Sequence, residues 1–226
     1  RNLRGVTGLL NLITDVDGLR VGNATDETGR TGTTVIVPEG HMLLAADCRG
    51  GAPGTRELDA LRPENFVETM HALVLSGGSV FGLDAASAVA VELAKKGIGF
   101  KFGDQPWPCP VVPAAILFDL MNGGDKAWGA EPPYRKLGAE ALANAAKSFE
   151  LGNAGAGCGA MAGGLKGGLG SASSRVGEFT VGALVAVNSV GSCADPITGN
   201  LFARGLAIGG EMGPMVNRPV PAFAAT

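Results

Sequence analysis

Histidine is almost missing from this chain: among 226 residues there are only His41 and His71. The four cysteines, Cys48, Cys109, Cys158 and Cys193, stand far apart and form no CxxC pair. No clustered ligand set can be assembled from them, which excludes a zinc site and leaves metal and cofactor chemistry without support. Free thiols in a reducing compartment are the expectation, rather than disulfides. Aromatic residues make up 5%, Lys and Arg (18) are outnumbered by Asp and Glu (21), and the net charge is −3. With no basic block and no aromatic interleaving, nucleic-acid binding is excluded. No apolar run reaches the roughly 18 residues that a membrane helix needs. The residues from Arg1 onward show no signal peptide, and a cytoplasmic location without membrane attachment is the expectation.

What the chain has in quantity is glycine (37 residues) and small or aliphatic side chains, with 46% hydrophobic residues and a mean hydropathy of +0.22. Such a composition favours closely packed layers and tight turns. The length suits one domain, taken as residues 1–205, followed by an irregular Gly- and Pro-rich tail over 206–226. The organising stretch runs from Ala72 to Lys95. An apolar segment, Ala72 to Leu75, meets the turn Ser76-Gly77-Gly78-Ser79. A helical pattern follows, with Val80, Leu83, Ser87 and Ala90, and Ala86, Val89 and Leu93, at spacings of three and four. Ser79 is placed to cap that helix, whose few polar residues predict cover on most of its surface.

Around it, Thr31–Pro38 is β-branched and reads as the first arm of a hairpin with Leu43–Ala46. Asp15-Val16-Asp17-Gly18 begins like a calcium loop but fails at the sixth and twelfth positions, Arg20 and Asp26, and reads as a turn before a short strand. Cys109 to Leu120 suggests a buried strand leading into a constrained turn. A second helix is expected between Pro132 and Phe149, with Leu137, Ala141, Leu142 and Ala145 on one face. Phe179 to Val187 reads as a buried strand ending in Asn188-Ser189-Val190-Gly191. A hairpin, two core helices and later strands predict an α+β layered domain.

Taken alone, the residues offer no complete catalytic set. Gly152-Asn153-Ala154-Gly155-Ala156-Gly157-Cys158-Gly159-Ala160 nearly matches a dinucleotide fingerprint. A helix precedes it where a strand is required, and more glycine follows. There is neither a phosphate-binding Gly-Lys-Ser/Thr nor a Gly-x-Ser-x-Gly nucleophile elbow. Asn188 could aim an amide at a developing oxyanion, or could merely turn the chain. Arg49 and Arg56 flank a loop, Gly50-Gly51-Ala52-Pro53-Gly54-Thr55, that could hold a carboxylate or lie in solvent.

Six stretches together resemble one family: Thr31–Ile36, Ala46–Glu57, Leu75–Ala86, Val112–Leu120, Ala154–Ala160 and Val185–Gly191. They are similar to the DmpA-type aminopeptidases, which include L-aminopeptidase/D-amino-acid esterases, β-peptidyl aminopeptidases and nylon-oligomer hydrolases. The resemblance implies a four-layer α/β/β/α sandwich like that of the N-terminal-nucleophile hydrolases. It also implies a precursor that cuts itself into an α chain, which this sequence resembles, and a β chain whose new N-terminal Ser or Thr is the nucleophile. By position, Asn188 matches the side-chain donor to the oxyanion and Leu117 lies where a backbone amide is the second donor. Arg49, Gly50 and Gly51 match a loop near the substrate pocket. Implied partners are the β chain, a small peptide, amide or ester substrate, and further copies in a tetramer of αβ units. Two alternatives stand beside this: an acyltransferase like the ornithine acetyltransferases, and a non-enzymatic small-molecule-binding domain.

Overall fold

The computed structural model describes residues 5–40, 42–207, 210–215 and 219. Among these residues ten strands and two α-helices follow one another as β1 (Val6–Thr7), β2 (Leu19–Asp26), β3 (Thr31–Pro38), β4 (Thr55–Arg56), β5 (Leu73–Ser76), α1 (Asp84–Lys95), β6 (Ala114–Ile116), α2 (Tyr134–Ala143), β7 (Met161–Ala162), β8 (Leu165–Lys166), β9 (Gly168–Val176) and β10 (Phe179–Val187). Five of the strands form a mixed sheet in the order β2-β3-β5-β6-β4, and a second sheet has the order β1-β9-β10. In the first sheet β5 and β6 run parallel, which requires a long connection, and α1 lies within it.

Helices α1 and α2 cover one face of the five-stranded sheet. Ala85, Ala86, Val89 and Leu93 of α1, with Leu137, Ala141 and Leu142 of α2, share a core with Val35, Val74 and Ala114. The helices approach closely because Gly138 sits against Ala85, where a Cβ would overlap the Ala85 carbonyl. On the opposite face, Ala156 and Ala160 of the glycine-rich run pack with Leu117, Leu75 and Ala186. That run therefore lies between the two sheets. Helices, sheet and sheet make an α+β stack, and three layers of the expected sandwich come from the described residues.

Several local expectations change. Thr31–Pro38 pairs along its whole length with β2, Leu19 opposite Pro38 and Asp26 opposite Thr31, rather than with Leu43–Ala46. The latter residues form no strand, and the other edge of β3 is taken by β5 instead. The strand expected within Cys109–Leu120 is only three residues long, because Pro110 and Pro113 remove ladder donors before it. The second helix is shorter than expected and stops at Ala143; just beyond, Ala146 bridges to Val21. Ser79 caps nothing: it opens a 3-10 turn, Ser79–Leu83, with φ of 52°, and neither the turn nor α1 has a side-chain cap. Helix α1 is covered on most of its surface as expected, with Asp84, Val91 and Lys95 its exposed residues. Finally, β10 is half-exposed rather than buried, with Phe179, Val181, Ala183 and Val185 pointing away from the stack. Most of the tail placed at 206–226 lies outside the described residues, as does His41.

Candidate functional site

Asn188 follows the last residue of β10, and its side chain joins three segments. Its Oδ1 accepts from the Phe118 amide at 2.6 Å, and its Nδ2 donates to the Phe118 carbonyl at 3.1 Å. A further bond from Nδ2 reaches the Met161 carbonyl at 2.9 Å. The primary amide imitates a strand partner to Phe118, bonding both its N–H and its C=O, and so clasps the loop after β6 to the end of β10. Both Nδ2 hydrogens are thereby engaged. The two bonds differ in setting, since the one to Phe118 is exposed and the one to Met161 is partly buried.

Leu117, one residue earlier, is buried and committed at both ends of its backbone. Its amide donates to the Ser76 carbonyl at 2.8 Å, and its carbonyl accepts from the Ser79 amide at 3.0 Å. The Ser76-Gly77-Gly78-Ser79 turn thus holds the same loop that Asn188 clasps from the other side. Asn188 and Leu117 belong to one locus, built where β5, β6 and β10 end.

Lys166, which residue-by-residue reasoning passed over, supports that locus from below. Its ammonium donates to the carbonyls of Gly157 (2.6 Å), Ala160 (3.2 Å) and Gly167 (3.2 Å). Burial pushes its pKa down, opposed by the nearby Cys158. Because β7 pairs with β8, Met161 lies opposite Lys166, and one positive charge sits behind the strand whose carbonyl Asn188 holds. A sequence signal existed: Lys166 is the single charged residue between Leu151 and Ser174. Burial also pushes the Cys158 thiol up.

Arg49, Gly50 and Gly51 are placed apart from these bonds. Arg49 pairs through Nε with Asp47 at 2.6 Å in an exposed loop, and Gly50 and Gly51 border open space. Arg49 does line an open cleft of about 470 Å³, walled by Leu44, Pro53, Leu58 and Leu73 and floored by Ala114–Ile116. Arg56 turns elsewhere, donating to Ser87 Oγ at 2.6 Å. The fingerprint-like glycine run is followed by β7 rather than by a helix, so it lacks the helix N-terminus that binds a pyrophosphate. Among the described residues no group of three His, Cys, Asp or Glu could hold a metal ion, and no helix is long and apolar enough to cross a membrane.

The family model of peptidase family S58 matches residues 11–217. The chain belongs to peptidase family S58. A Mycobacterium bovis protein named as an uncharacterized aminopeptidase is 43% identical over 201 residues, covering 84% of this chain and 56% of its own length. A 6-aminohexanoate-oligomer endohydrolase of a Kocuria species is 32% identical, over 84% of this chain and 51% of its own length. Among solved structures, a Burkholderia β-aminopeptidase superposes with a TM-score of 0.63 at 24% identity, over 85% of this chain and 56% of the other. An L-aminopeptidase D-Ala-esterase/amidase of Ochrobactrum anthropi, described as a variant of the Ntn hydrolase fold, superposes at 0.57 and 24% identity, over 84% and 56%. The fold of this S58 member is therefore of the Ntn-hydrolase type. The chain spans about half the length of the curated relatives it matches.

Proposed function

We propose that this S58 chain is the α part of a self-processed amidohydrolase that releases N-terminal residues from small peptides, amides or esters. The family match from residue 11 to 217, in a chain covering just over half of its relatives' length, carries this reading. On it, the nucleophilic Ser or Thr belongs to the β part. The hydroxyl oxygen attacks the substrate carbonyl carbon while the nucleophile's own α-amino group takes the hydroxyl proton. The C–N bond breaks and the amine departs with that proton, leaving an ester. Water then cleaves the ester and restores the hydroxyl.

Each tetrahedral step puts charge on the carbonyl oxygen, and a donor aimed at that charge lowers the barrier. Asn188 takes this role by exchanging its longer, exposed bond to the Phe118 carbonyl for the substrate oxygen, while the shorter bond to Met161 holds the amide in place. Leu117 serves as the second donor only once its amide leaves Ser76. Arg49, Gly50 and Gly51 contribute to the wall of the adjoining cleft. The β part completes the layers, and αβ units associate, as a tetramer, in the cytoplasm.

Membership of a peptidase family sets hydrolysis ahead of acyl transfer. Expression of the whole precursor, followed by intact mass and N-terminal sequencing, tests the proposal. Two polypeptides are expected, one beginning with Ser or Thr, with release of an N-terminal residue from aminoacyl amides. A single uncut polypeptide, or acetyl transfer without hydrolysis, refutes it.

A further inference from the structure

Asp119 is the most deeply buried charged side chain among the described ion pairs, with no exposed side-chain surface, and nothing in the reaction outlined above uses it. Thr31 Oγ1 donates to its Oδ2 at 2.5 Å, and the Gly78 amide donates to its Oδ1 at 2.8 Å. Lys126 Nζ lies 3.8 Å from Oδ1. The Thr31 and Tyr134 hydroxyls are 3.4 Å apart, and both residues are fully buried. Burial pushes the Tyr134 hydroxyl up to about 12, so it stays neutral at physiological pH.

The fold makes room for this carboxylate at several points. A Cβ on Gly77 or Gly159 would overlap Asp119 Oδ2, and a Cβ on Gly78 would overlap the Tyr134 ring. Glycines from two separate motifs, the Ser-Gly-Gly-Ser turn and the glycine-rich run, are thus shaped around one buried network. Burying an ion pair is weak evidence for stability, because apolar replacements of similar volume often stabilise as much. What the network does fix is position. Asp119 directly follows Phe118, and it ties that loop to the start of β3 and to the turn that accepts and donates at Leu117.

We infer that Asp119 is a positioning residue: with Thr31 and Gly78 it sets the Leu117–Phe118 backbone against Asn188. This rests on the proposed hydrolase reading. The test uses the whole precursor, with Asp119→Asn, Thr31→Val and Thr31→Ser measured after maturation and well below each melting temperature. Asp119→Asn and Thr31→Val are expected to lower kcat by about 10- to 100-fold, the range for a misplacement of the reacting groups by an ångström or less, with KM little changed. Thr31→Ser, which keeps the hydroxyl, restores most of kcat. A merely structural role instead lowers the melting temperature and leaves kcat per folded enzyme within about twofold of wild type, which overturns the inference. Should Asp119→Asn fail to fold, the Thr31→Val and Thr31→Ser pair decides alone. A wild-type precursor that neither cuts itself nor hydrolyses aminoacyl amides removes the functional reading and this inference with it.

Discussion

Replacing Asn188 with Ala separates a chemical role from a structural one, because the structure sets the size of each. Three hydrogen bonds are lost, two to Phe118 and one to Met161. A net contribution of about 1 kcal/mol each is the usual scale, reduced where water can replace the partner. The Phe118 bonds are exposed, so roughly 2 kcal/mol is expected in all. For a chain of this size that lowers Tm by about 4–8 °C. The catalytic loss is larger if Nδ2 donates to the oxyanion: about 10²- to 10³-fold in kcat, or roughly 3–4 kcal/mol. Substrate affinity in the ground state changes much less. Asn188→Asp keeps an acceptor for the Phe118 amide but sets a carboxylate against two carbonyl oxygens, and so loses both activity and stability. Self-cleavage also passes through a tetrahedral oxyanion, so uncut Asn188→Ala precursor accumulates if one donor serves both steps. The assay is kcat and Tm on matured enzyme. Turnover near wild type, with a lowered Tm, would reduce Asn188 to a clasp and refute its place in the mechanism.

The parts of the fold that were legible in the sequence are those with a period. The spacing of Ala86, Val89 and Leu93 gave α1, and Leu137, Ala141 and Leu142 gave α2, because a helix buried on one face repeats every three or four residues. The α+β layering followed from their order among the strands. Strand pairing was less legible, since β3 takes β2 and β5 as its neighbours rather than the Leu43–Ala46 segment that follows it in sequence. Strand β9 was hidden for a different reason. Its inward residues include Ser171 and Ser173, which bond Ile13 and Asp15 instead of filling an apolar core. The residues alone offered Asn188 as an oxyanion donor but favoured a turn-forming asparagine, and it was the resemblance that joined it to Leu117. Asp119 and Lys166 each stand as a lone charge in an apolar or glycine-rich stretch, a signal masked by the expectation that such stretches are plain core. Only the tertiary contacts reveal what those charges hold.

The other predictions concern stability, thiol reactivity, acid opening and assembly. Gly78→Ala combines a φ of 88° with overlap of the buried Tyr134 ring. It should cost about 2–5 kcal/mol in denaturant unfolding, summing left-handed backbone strain and overpacking, and a loss below 1 kcal/mol would contradict the geometry. Burial pushes the Cys158 thiol up, so it should resist thiol reagents at neutral pH until the protein unfolds. The Ser173 hydroxyl, with the Leu10 and Leu12 amides, holds Asp15 below its ordinary carboxylate value of 3.8. That bonding is present above 3.8 and lost as pH falls through the lower folded value, so hydrogen exchange in the segment before Asp15 should rise there first. The last prediction tests assembly through the outward face of β10. Phe179, Val181 and Val185 are 76%, 64% and 52% exposed in this chain and form an apolar row along one strand. If the β part of the precursor or a neighbouring copy covers that row, Val181→Lys places an unpaired charge in an interface and should block maturation or association. If the row faces water in the finished protein, the substitution falls within the roughly ±0.5 kcal/mol typical of open surface. Light scattering and Tm on the whole Val181→Lys precursor decide between these, and wild-type size with wild-type melting would rule out burial of this sheet face.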